Sequence, residues 1–186
     1  MQRVLRRLKP EKRLKSLARR DVKDLPFLGQ IAELPPKLLY DTTVYIDVLQ
    51  DRFPQEGELV LRAADAWHSP VTEAELVAPC GFLDPTHPET PAAVKQILET
   101  IERRPAHRTI VPDRDVWVEA GILCGVLARL QSYNRAEWRR LMNDALLFAT
   151  ARKNGLTLLT RNMGDLDLLQ QLEPSGSVLF YHRRQI

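Results

Sequence analysis

The stretch that organises this sequence is Lys37-Leu38-Leu39-Tyr40-Asp41-Thr42-Thr43, a short apolar run that ends on a carboxylate. A brief apolar run of this kind is typical of a buried strand in a parallel sheet. Asp41 would then stand at the carboxyl end of that strand, at the edge where open α/β sheets bind their ligands. We therefore ask of every later element whether it brings further carboxylates to the same edge.

Downstream of Asp41 the sequence alternates between helical patterns and short apolar runs. The helical patterns cover residues 43–50, 58–66, a segment from Thr72, a segment from Thr90 to Pro105, 113–130 and 135–153. The predicted further strands are 67–71, 109–111, 156–159 and 177–181, with 160–167 as a loop and short turn. Strands that alternate with helices predict an α/β fold, namely a three-layer α/β/α sandwich with a mainly parallel central sheet.

The N-terminal part of the chain differs from the rest in charge. Residues 1–23 contain ten Lys or Arg against two acidic residues, a formal charge of +8, whereas the whole chain carries +3 and residues 24–186 therefore −5. We assign residues 1–36 to a basic arm and connector, with an amphipathic helix after Pro10, and residues 37–186 to the α/β domain. Such an arm either binds phosphates through counterion release or is a solvated, poorly ordered tail.

Composition argues against several kinds of chemistry. The 186 residues, 44% of them hydrophobic, suffice for one buried domain plus an appendage. The two Cys and four His are scattered, and no glycine-rich phosphate-binding loop occurs, so thiol, zinc and nucleotide-loop chemistries have little support. No apolar run reaches about 18 residues and no secretory signal is evident, so we expect a cytoplasmic protein without a membrane span.

Asp144 is the one residue that contradicts its own helical pattern. It follows Leu141 by three residues and precedes Phe148 by four, which places it beside the apolar face of the helix. Aspartate is a poor residue in a helix interior and is costly to bury unless its charge is paired. Asp144 is therefore either partly exposed, paired with Arg135 or Arg140, or part of a functional site.

Other oxygen-bearing side chains fall at the corresponding ends of the other strands. Glu75 lies near the start of the helix after the second strand, and Asn162 and Asp165 follow the strand after the long helix. In a parallel sheet these places share one edge with Asp41, and such a cluster repels itself unless cations neutralise it. Ligands that are all oxygens favour Mg²⁺ or Mn²⁺. The alternatives are a capping-box role for Glu75 with Thr72 and an ordinary turn at Asn162.

Four motifs occur in a fixed order along the chain. They are Leu38-Leu39-Tyr40-Asp41-Thr42-Thr43, Val71-Thr72-Glu73-Ala74-Glu75-Leu76, Asn143-Asp144-Ala145-Leu146-Leu147-Phe148, and Gly155-Leu156-Thr157-Leu158-Leu159-Thr160-Arg161-Asn162-Met163-Gly164-Asp165. In this order and spacing they resemble the motifs of PIN-domain ribonucleases, especially the VapC-type toxins of type II toxin-antitoxin systems. The resemblance covers roughly residues 37–182, and the ordered set is more specific than any one motif.

The resemblance implies a metal-dependent endoribonuclease with a defined set of catalytic acids. Asp41, Glu75 and Asp144 match the family's three principal acids, which hold Mg²⁺ or Mn²⁺. The fourth family position is an Asp or Asn after the Thr-Arg pair, and here it is Asn162. An amide is a weaker ligand than a carboxylate, so we expect Asp165 to serve as a metal ligand in its place.

Within the second motif, two acids compete for the same role. Glu73 is the alternative to Glu75, and Glu75 is preferred because Leu76 follows it, as in the family pattern. The hydroxyls of Thr42 and Thr160 would either hold the carboxylates or contact RNA phosphate. The positive charge of Arg161 would draw the RNA backbone to the negative edge.

The toxin resemblance also implies partners, namely an RNA substrate, a second copy of the chain in a homodimer, and a cognate antitoxin protein. The long basic arm and Asn162 depart from the typical pattern. They leave open a catalytically inactive PIN fold that serves as an RNA-binding or protein-docking module. A DNA nuclease would use the same metal ligands and is a third possibility.

Overall fold

The computed structural model describes residues 1–33 and 35–184, and within them the centre of the fold is a parallel sheet of four strands. The strands are β1 (Lys37–Tyr40), β2 (Asp65–Trp67), β3 (Thr157–Thr160) and β4 (Ser177–Phe180), in the spatial order β2-β1-β3-β4. Tyr40 stands opposite Leu159, and the Asp41 amide donates to the Leu159 carbonyl oxygen at 3.1 Å. The carboxyl ends of β1 and β3 therefore lie side by side.

Eight α-helices surround this sheet in the described part of the chain. They are α1 (Gln2–Leu8), α2 (Thr42–Leu49), α3 (Gln55–Ala63), α4 (Pro70–Phe82), α5 (Thr90–Glu102), α6 (Arg114–Gln131), α7 (Arg135–Lys153) and α8 (Met163–Leu172). The predicted caps of α6 and α7 are confirmed, because Asp113 accepts from two amides of the first turn of α6 and Asn134 forms a reciprocal capping box with Glu137. None of these helices is long and apolar enough to cross a membrane.

Side chains that alternate along the strands divide the core into two parts. Leu39, Leu158 and Val178 face one way and pack with α6, α7 and α8. Leu38, Leu159 and Leu179 face the other way and pack with α2, α3 and α4. This period-two alternation in strands buried on both faces is what a sheet between two helical layers requires. The predicted three-layer α/β/α sandwich is thereby confirmed.

The start of α4 differs from the prediction. Strand β2 ends at Trp67 rather than at residue 71, and the helix is capped by Ser69, whose hydroxyl accepts from the Val71 amide at 3.3 Å. Thr72, predicted as the cap, instead donates its hydroxyl to the Tyr40 carbonyl oxygen at 3.2 Å. Glu75 consequently lies in the second turn of α4, and the capping-box role considered for it is wrong.

Two further segments also depart from the sequence expectation. The predicted strand 109–111 is reduced to a single bridge between His68 and Thr109. The predicted loop 160–167 contains the start of α8, because the Asn162 amide donates to the Thr160 hydroxyl at 2.9 Å and turns the chain directly into the helix. In addition, α3 begins at Gln55, three residues before the predicted start.

The N-terminal segment packs against the domain, and its helix lies before Pro10 rather than after it. Helix α1 ends at Leu8, and the next residue, Lys9, caps it in a left-handed conformation with φ of 48°. Val4 and Leu8 are buried in the same core cluster as α6. Beyond Pro10, the described residues of this segment contain only two single turns of 3₁₀ helix, over Pro10–Lys12 and Val22–Asp24.

The end of the same segment reaches the edge of the sheet. Phe27 forms a parallel bridge with Phe180 of β4, and the Leu28 amide donates to the Phe180 carbonyl oxygen at 2.8 Å. Leu34 of the predicted connector and residues 185–186 at the end of the predicted domain lie outside the described residues. Residues 1–28 thus form part of the folded unit.

Replacing Leu8 by alanine tests whether α1 belongs to the core. Because Leu8 is 4% exposed and packs in the core cluster, Leu8→Ala should lower the free energy of unfolding by about 2 kcal/mol. Leu14, which is 79% exposed, provides the matched control, and Leu14→Ala should change the free energy by less than about 0.5 kcal/mol. Urea unfolding followed by circular dichroism measures both values. Equal effects of the two changes would contradict the packing of α1.

Candidate active site

Asp41 directly follows β1 and is held by neutral donors on both carboxylate oxygens. Its Oδ1 accepts from the Thr42 amide at 2.7 Å, and its Oδ2 accepts from the hydroxyls of Thr43 at 2.7 Å and Thr160 at 2.6 Å. The side chain is 4% exposed. The hydrogen bond from Thr160 ties the carboxyl end of β3 to that of β1, so the parallel pairing of the two strands fixes the position of this carboxylate.

Glu75 reaches the same edge from α4. Its Oε2 accepts from the Thr42 hydroxyl, and its Oε1 accepts from the side-chain amide of Asn143 at 2.7 Å. Glu73 points elsewhere, because its carboxylate lies 3.7 Å from the Arg104 guanidinium. Of the two acids in the second motif, Glu75 is therefore the one that lies next to Asp41.

Two further carboxylates come from α7 and α8. The Asn162 side-chain amide donates to Asp144 Oδ2 at 3.0 Å, and the Tyr133 hydroxyl donates to Asp165 Oδ1 at 3.0 Å. Asp144 forms no ion pair with the predicted partners Arg135 and Arg140, all three of which the structure describes. The ion-pair explanation for Asp144 is therefore wrong.

The four carboxylates are close enough to affect one another electrostatically. The pKa of Asp144 is raised well above its ordinary value, first by burial and then by the negative charges of Asp41, Asp165 and Glu75, while the hydrogen bond from Asn162 acts in the opposite direction. Throughout residues 1–33 and 35–184, none of these four acids has an Arg or Lys partner in an ion pair. The edge therefore carries an excess of negative charge.

Three of the four acids open onto a cleft of about 730 Å³, and Asp41 lies beside it, joined to Glu75 through Thr42. Its floor contains Glu75, Asp144 and Asp165 together with the amides of Asn143 and Asn162. Cationic side chains also line it, from the N-terminal segment and from the start of α7: Arg19, Arg139 and Arg140. The cleft thus combines an acidic floor with basic side chains, an arrangement suited to a phosphate ester that is attracted by the cations and processed at the acids.

The donor set fits a hard divalent cation in chemistry and in charge. All the candidate ligand atoms are oxygens, and the four carboxylates have no ion-pair partner among the residues that the structure describes. In the described residues, however, no three acidic, His or Cys side chains are already gathered as a closed metal cage. Instead, the side-chain amides of Asn143 and Asn162 donate hydrogen bonds to the carboxylates of Glu75 and Asp144. Binding of a cation would therefore replace or rearrange these hydrogen bonds.

The residues proposed to contact RNA make intramolecular contacts. The Thr42 hydroxyl donates to Glu75 and the Thr160 hydroxyl to Asp41, which is the carboxylate-holding role considered for both. Arg161 Nε donates to Asp47 Oδ2 at 2.7 Å. Each hydroxyl has one proton, so neither can donate to a phosphate while its present contact stands.

Sequence reasoning missed three residues that shape the site. Asn143 belongs to the third motif, where its place directly before Asp144 is the signal that could have found it. Asp47 is 1% exposed and holds both Arg161 and the Tyr181 hydroxyl, and its signal was a lone acid among the apolar residues of α2. Tyr133 gave no sequence signal.

Comparison with known proteins identifies the fold. No family model and no curated protein sequence matches the chain. Among solved structures, FitAcB from Neisseria gonorrhoeae matches with a TM-score of 0.55 at 21% identity, over 77% of this chain and 96% of that one. VapBC-5 from Mycobacterium tuberculosis, of the VapBC family of toxin-antitoxin systems, matches with a TM-score of 0.52 at 22% identity, over 80% and 100% of the two chains. VapBC-1 from nontypeable Haemophilus influenzae gives 0.54 at 15% identity, over 78% and 96%.

These similarities establish a shared fold, the PIN-like α/β/α sandwich. The fold and the acidic edge together define the class: a PIN-fold protein with one carboxylate directly after its first strand and three more on the helices beside it.

Asp144→Asn should stabilise the protein in the absence of divalent cations. Because the pKa of Asp144 is raised in the folded state, the folded protein binds more protons than the unfolded chain, and stability falls as pH rises from about 4 towards the folded-state pKa. The substitution removes this charge. At pH 7 in EDTA we therefore expect the free energy of unfolding to be about 1 to 2 kcal/mol higher than that of the wild type. Above pH 4 the variant should also lose less stability than the wild type does.

Urea unfolding at several pH values measures this gain. Asp24→Asn, at an exposed acid that does not line this cleft, is the control and should show no gain. A variant that is less stable than the wild type at pH 7 would contradict the electrostatic description of the site.

Proposed function

We propose that this protein is a Mg²⁺- or Mn²⁺-dependent endoribonuclease and the toxin of a toxin-antitoxin pair. The observation that carries the proposal is a group of four acids without ion-pair partners in the described residues at the carboxyl edge of the sheet. Glu75, Asp144 and Asp165 line one cleft, and Asp41 adjoins it, joined to Glu75 through Thr42. The PIN-like fold, shared with VapBC toxin-antitoxin structures, supports the same proposal. Hydrolysis of RNA phosphodiesters is the reaction that such a site suits.

In this proposal the four carboxylates hold the cation. When bound, a divalent cation supplies a water of lowered pKa as nucleophile and offsets the charge of the phosphate. Thr43 and Thr160 orient Asp41, and Asn143 orients Glu75 through hydrogen bonds to carboxylate oxygens. Hydrogen bonds of this kind to ligand carboxylates set their position and their basicity.

Asn162 is a positioning residue in this scheme. Its side-chain amide donates to Asp144 Oδ2, which leaves Asp144 Oδ1 for another partner. Asp165, in the first turn of α8, supplies the carboxylate that the family pattern allows at the position of Asn162, and the Tyr133 hydroxyl orients it. The proposed ligand set is thus Asp41, Glu75, Asp144 and Asp165.

A cytoplasmic RNA substrate, a cognate antitoxin and a homodimer are the partners that belong to this proposal. Their support is the fold shared with VapBC toxin-antitoxin complexes. Exposed apolar side chains on α3 and α4 offer surfaces for such contacts, with Leu59 69% exposed and Phe82 87% exposed.

Asp41→Asn and Asp144→Asn test the catalytic assignment. Each substitution removes one negative ligand while keeping the size of the side chain, so cleavage of labelled RNA in Mg²⁺ or Mn²⁺ should fall by at least about 100-fold. Asp24→Asn should cleave like the wild type, and circular dichroism should show an unchanged fold for all three variants. Full activity of either site variant would reject the assignment.

Calorimetric titration with Mn²⁺ separates the nuclease from the inactive docking module. One observation favours the module: the side-chain amides of Asn143 and Asn162 already donate hydrogen bonds to the carboxylates of Glu75 and Asp144. For the nuclease we expect Mn²⁺ to bind the wild type, and Asn162→Asp, which adds a carboxylate, to bind it roughly tenfold more tightly. Absence of binding to both proteins would favour the docking module.

A further inference from the structure

The N-terminal segment is fastened to the domain on its way to the acidic cleft. Arg129 donates to the carbonyl oxygens of Pro10 and Arg13 at 2.9 and 2.8 Å, and Gln131 donates to that of Leu17 at 2.9 Å. These contacts connect residues more than one hundred positions apart. They lay the segment across α6 and direct it towards the first turn of α8.

Arg19 lies between two anchored neighbours. The carbonyl oxygen of Ala18 accepts from the Gln171 side chain at 3.0 Å. Arg20 binds Asp167 through its backbone amide at 2.8 Å and through its guanidinium at 2.6 Å. The backbone on both sides of Arg19 is therefore held in place, which limits where the Arg19 guanidinium can reach.

The Arg19 side chain extends over the start of α8, within hydrogen-bond reach of the Tyr133 hydroxyl. A Cβ atom placed on Gly164 would lie 3.1 Å from Arg19 Nη2, so the absence of a side chain there makes room for the guanidinium. Arg19 forms no ion pair with any carboxylate that the structure describes. By contrast, Arg20 is paired with Asp167 and Arg161 with Asp47.

A second cleft, of about 540 Å³, adjoins the acidic one. It is lined by Arg19, Arg20, Arg161 and the Thr43 side chain, with Asp167 as the acid among its lining residues. Arg19, Asn162 and Gly164 line both clefts. An extended ligand that leaves the acidic cleft past Arg19 would thus enter the basic cleft directly.

We propose that this second cleft binds the backbone of the RNA strand beside the phosphate that is cleaved, with Arg19 as the residue that contacts a flanking phosphate. The proposal rests on the nuclease function proposed above. An acidic catalytic floor repels a polyanion, so a neighbouring site of net positive charge is needed to hold the strand. A guanidinium without an ion-pair partner suits this role, because its planar fork binds phosphate oxygens in pairs.

Binding of single-stranded RNA, measured separately from cleavage, tests this assignment. The full chain carrying Asp144→Asn is titrated in Mg²⁺ with a fluorescein-labelled oligouridylate of about twelve nucleotides, a length within the range of single-strand binding sites. Fluorescence anisotropy at several salt concentrations gives the dissociation constant and its salt dependence. A gel run after each titration verifies that the RNA is intact.

Adding Arg19→Ala should weaken binding roughly three- to tenfold and reduce the slope of log K against log salt by about 0.7, the value for one phosphate contact on a single strand. Arg19→Lys should keep the slope, because it keeps the charge. Lys15→Ala, which removes an exposed charge from the same segment, should change neither quantity. Equal effects of Arg19→Ala and Lys15→Ala, or no RNA binding by the parent protein, would overturn the proposal.

Gly164→Ala provides a test that leaves Arg19 itself intact. The added methyl group must displace the Arg19 guanidinium, a flexible side-chain end, so RNA binding should weaken by a smaller factor than in Arg19→Ala. Unaltered binding in Gly164→Ala would count against the observed position of Arg19. The two proposals can fail separately. If RNA binding depends on Arg19 but the wild type cleaves no RNA, the nuclease function is refuted and the RNA-binding role of the second cleft is supported. If the wild type cleaves RNA but Arg19→Ala does not change binding, the role of Arg19 is refuted and the nuclease function is supported.

Discussion

Mutual repulsion among four carboxylates is the constraint on which this site depends. Asp41, Glu75, Asp144 and Asp165 come from four separate elements and are held together by neutral hydroxyl and amide donors. Neutral donors fix the position of a carboxylate without cancelling its charge, so the repulsion persists in the folded protein. The two hydrophobic cores on either side of the sheet supply the free energy that keeps these elements in place despite it. A cation is the natural complement of such an arrangement.

The missing ion pairs at this edge do not reflect a shortage of cations. The chain contains 27 Lys and Arg against 24 Asp and Glu, and buried acids outside the cleft are paired. Asp47 binds Arg161, and Glu119 binds both Arg7 and Arg152. Burial of an acid in this protein is therefore usually compensated by an arginine. At the candidate site this pattern stops, because the buried Asp41 and its half-buried neighbours Glu75, Asp144 and Asp165 have no arginine partner in the described residues, and this difference supports the function proposed above.

Part of the positive charge of the N-terminal segment is used by the fold. Arg7 pairs with Glu119 and Glu173, Arg13 donates to the carbonyl oxygen of Leu172, and Arg20 pairs with Asp167. A segment that looks like a phosphate-binding arm or a solvated tail by charge alone is thus attached to the domain through several of those charges. Arg19 stands apart because it combines an anchored backbone with a guanidinium at the cleft that contacts the Tyr133 hydroxyl and, in the described residues, pairs with no carboxylate.

The sequence by itself determined the layered architecture, the helix caps at Asp113 and Asn134 and the sharing of one sheet edge by the acids. These features follow from local periodicity and from the geometry of parallel strands. Only the tertiary structure decided that Ser69 caps α4 while Thr72 turns to Tyr40, that strand 109–111 shrinks to a bridge, and that α1 joins the core. It also decided that Asn143, Tyr133 and Arg19 reach the site. Each of these outcomes depends on contacts between residues that are distant in the sequence, and local sequence patterns carry no information about such contacts.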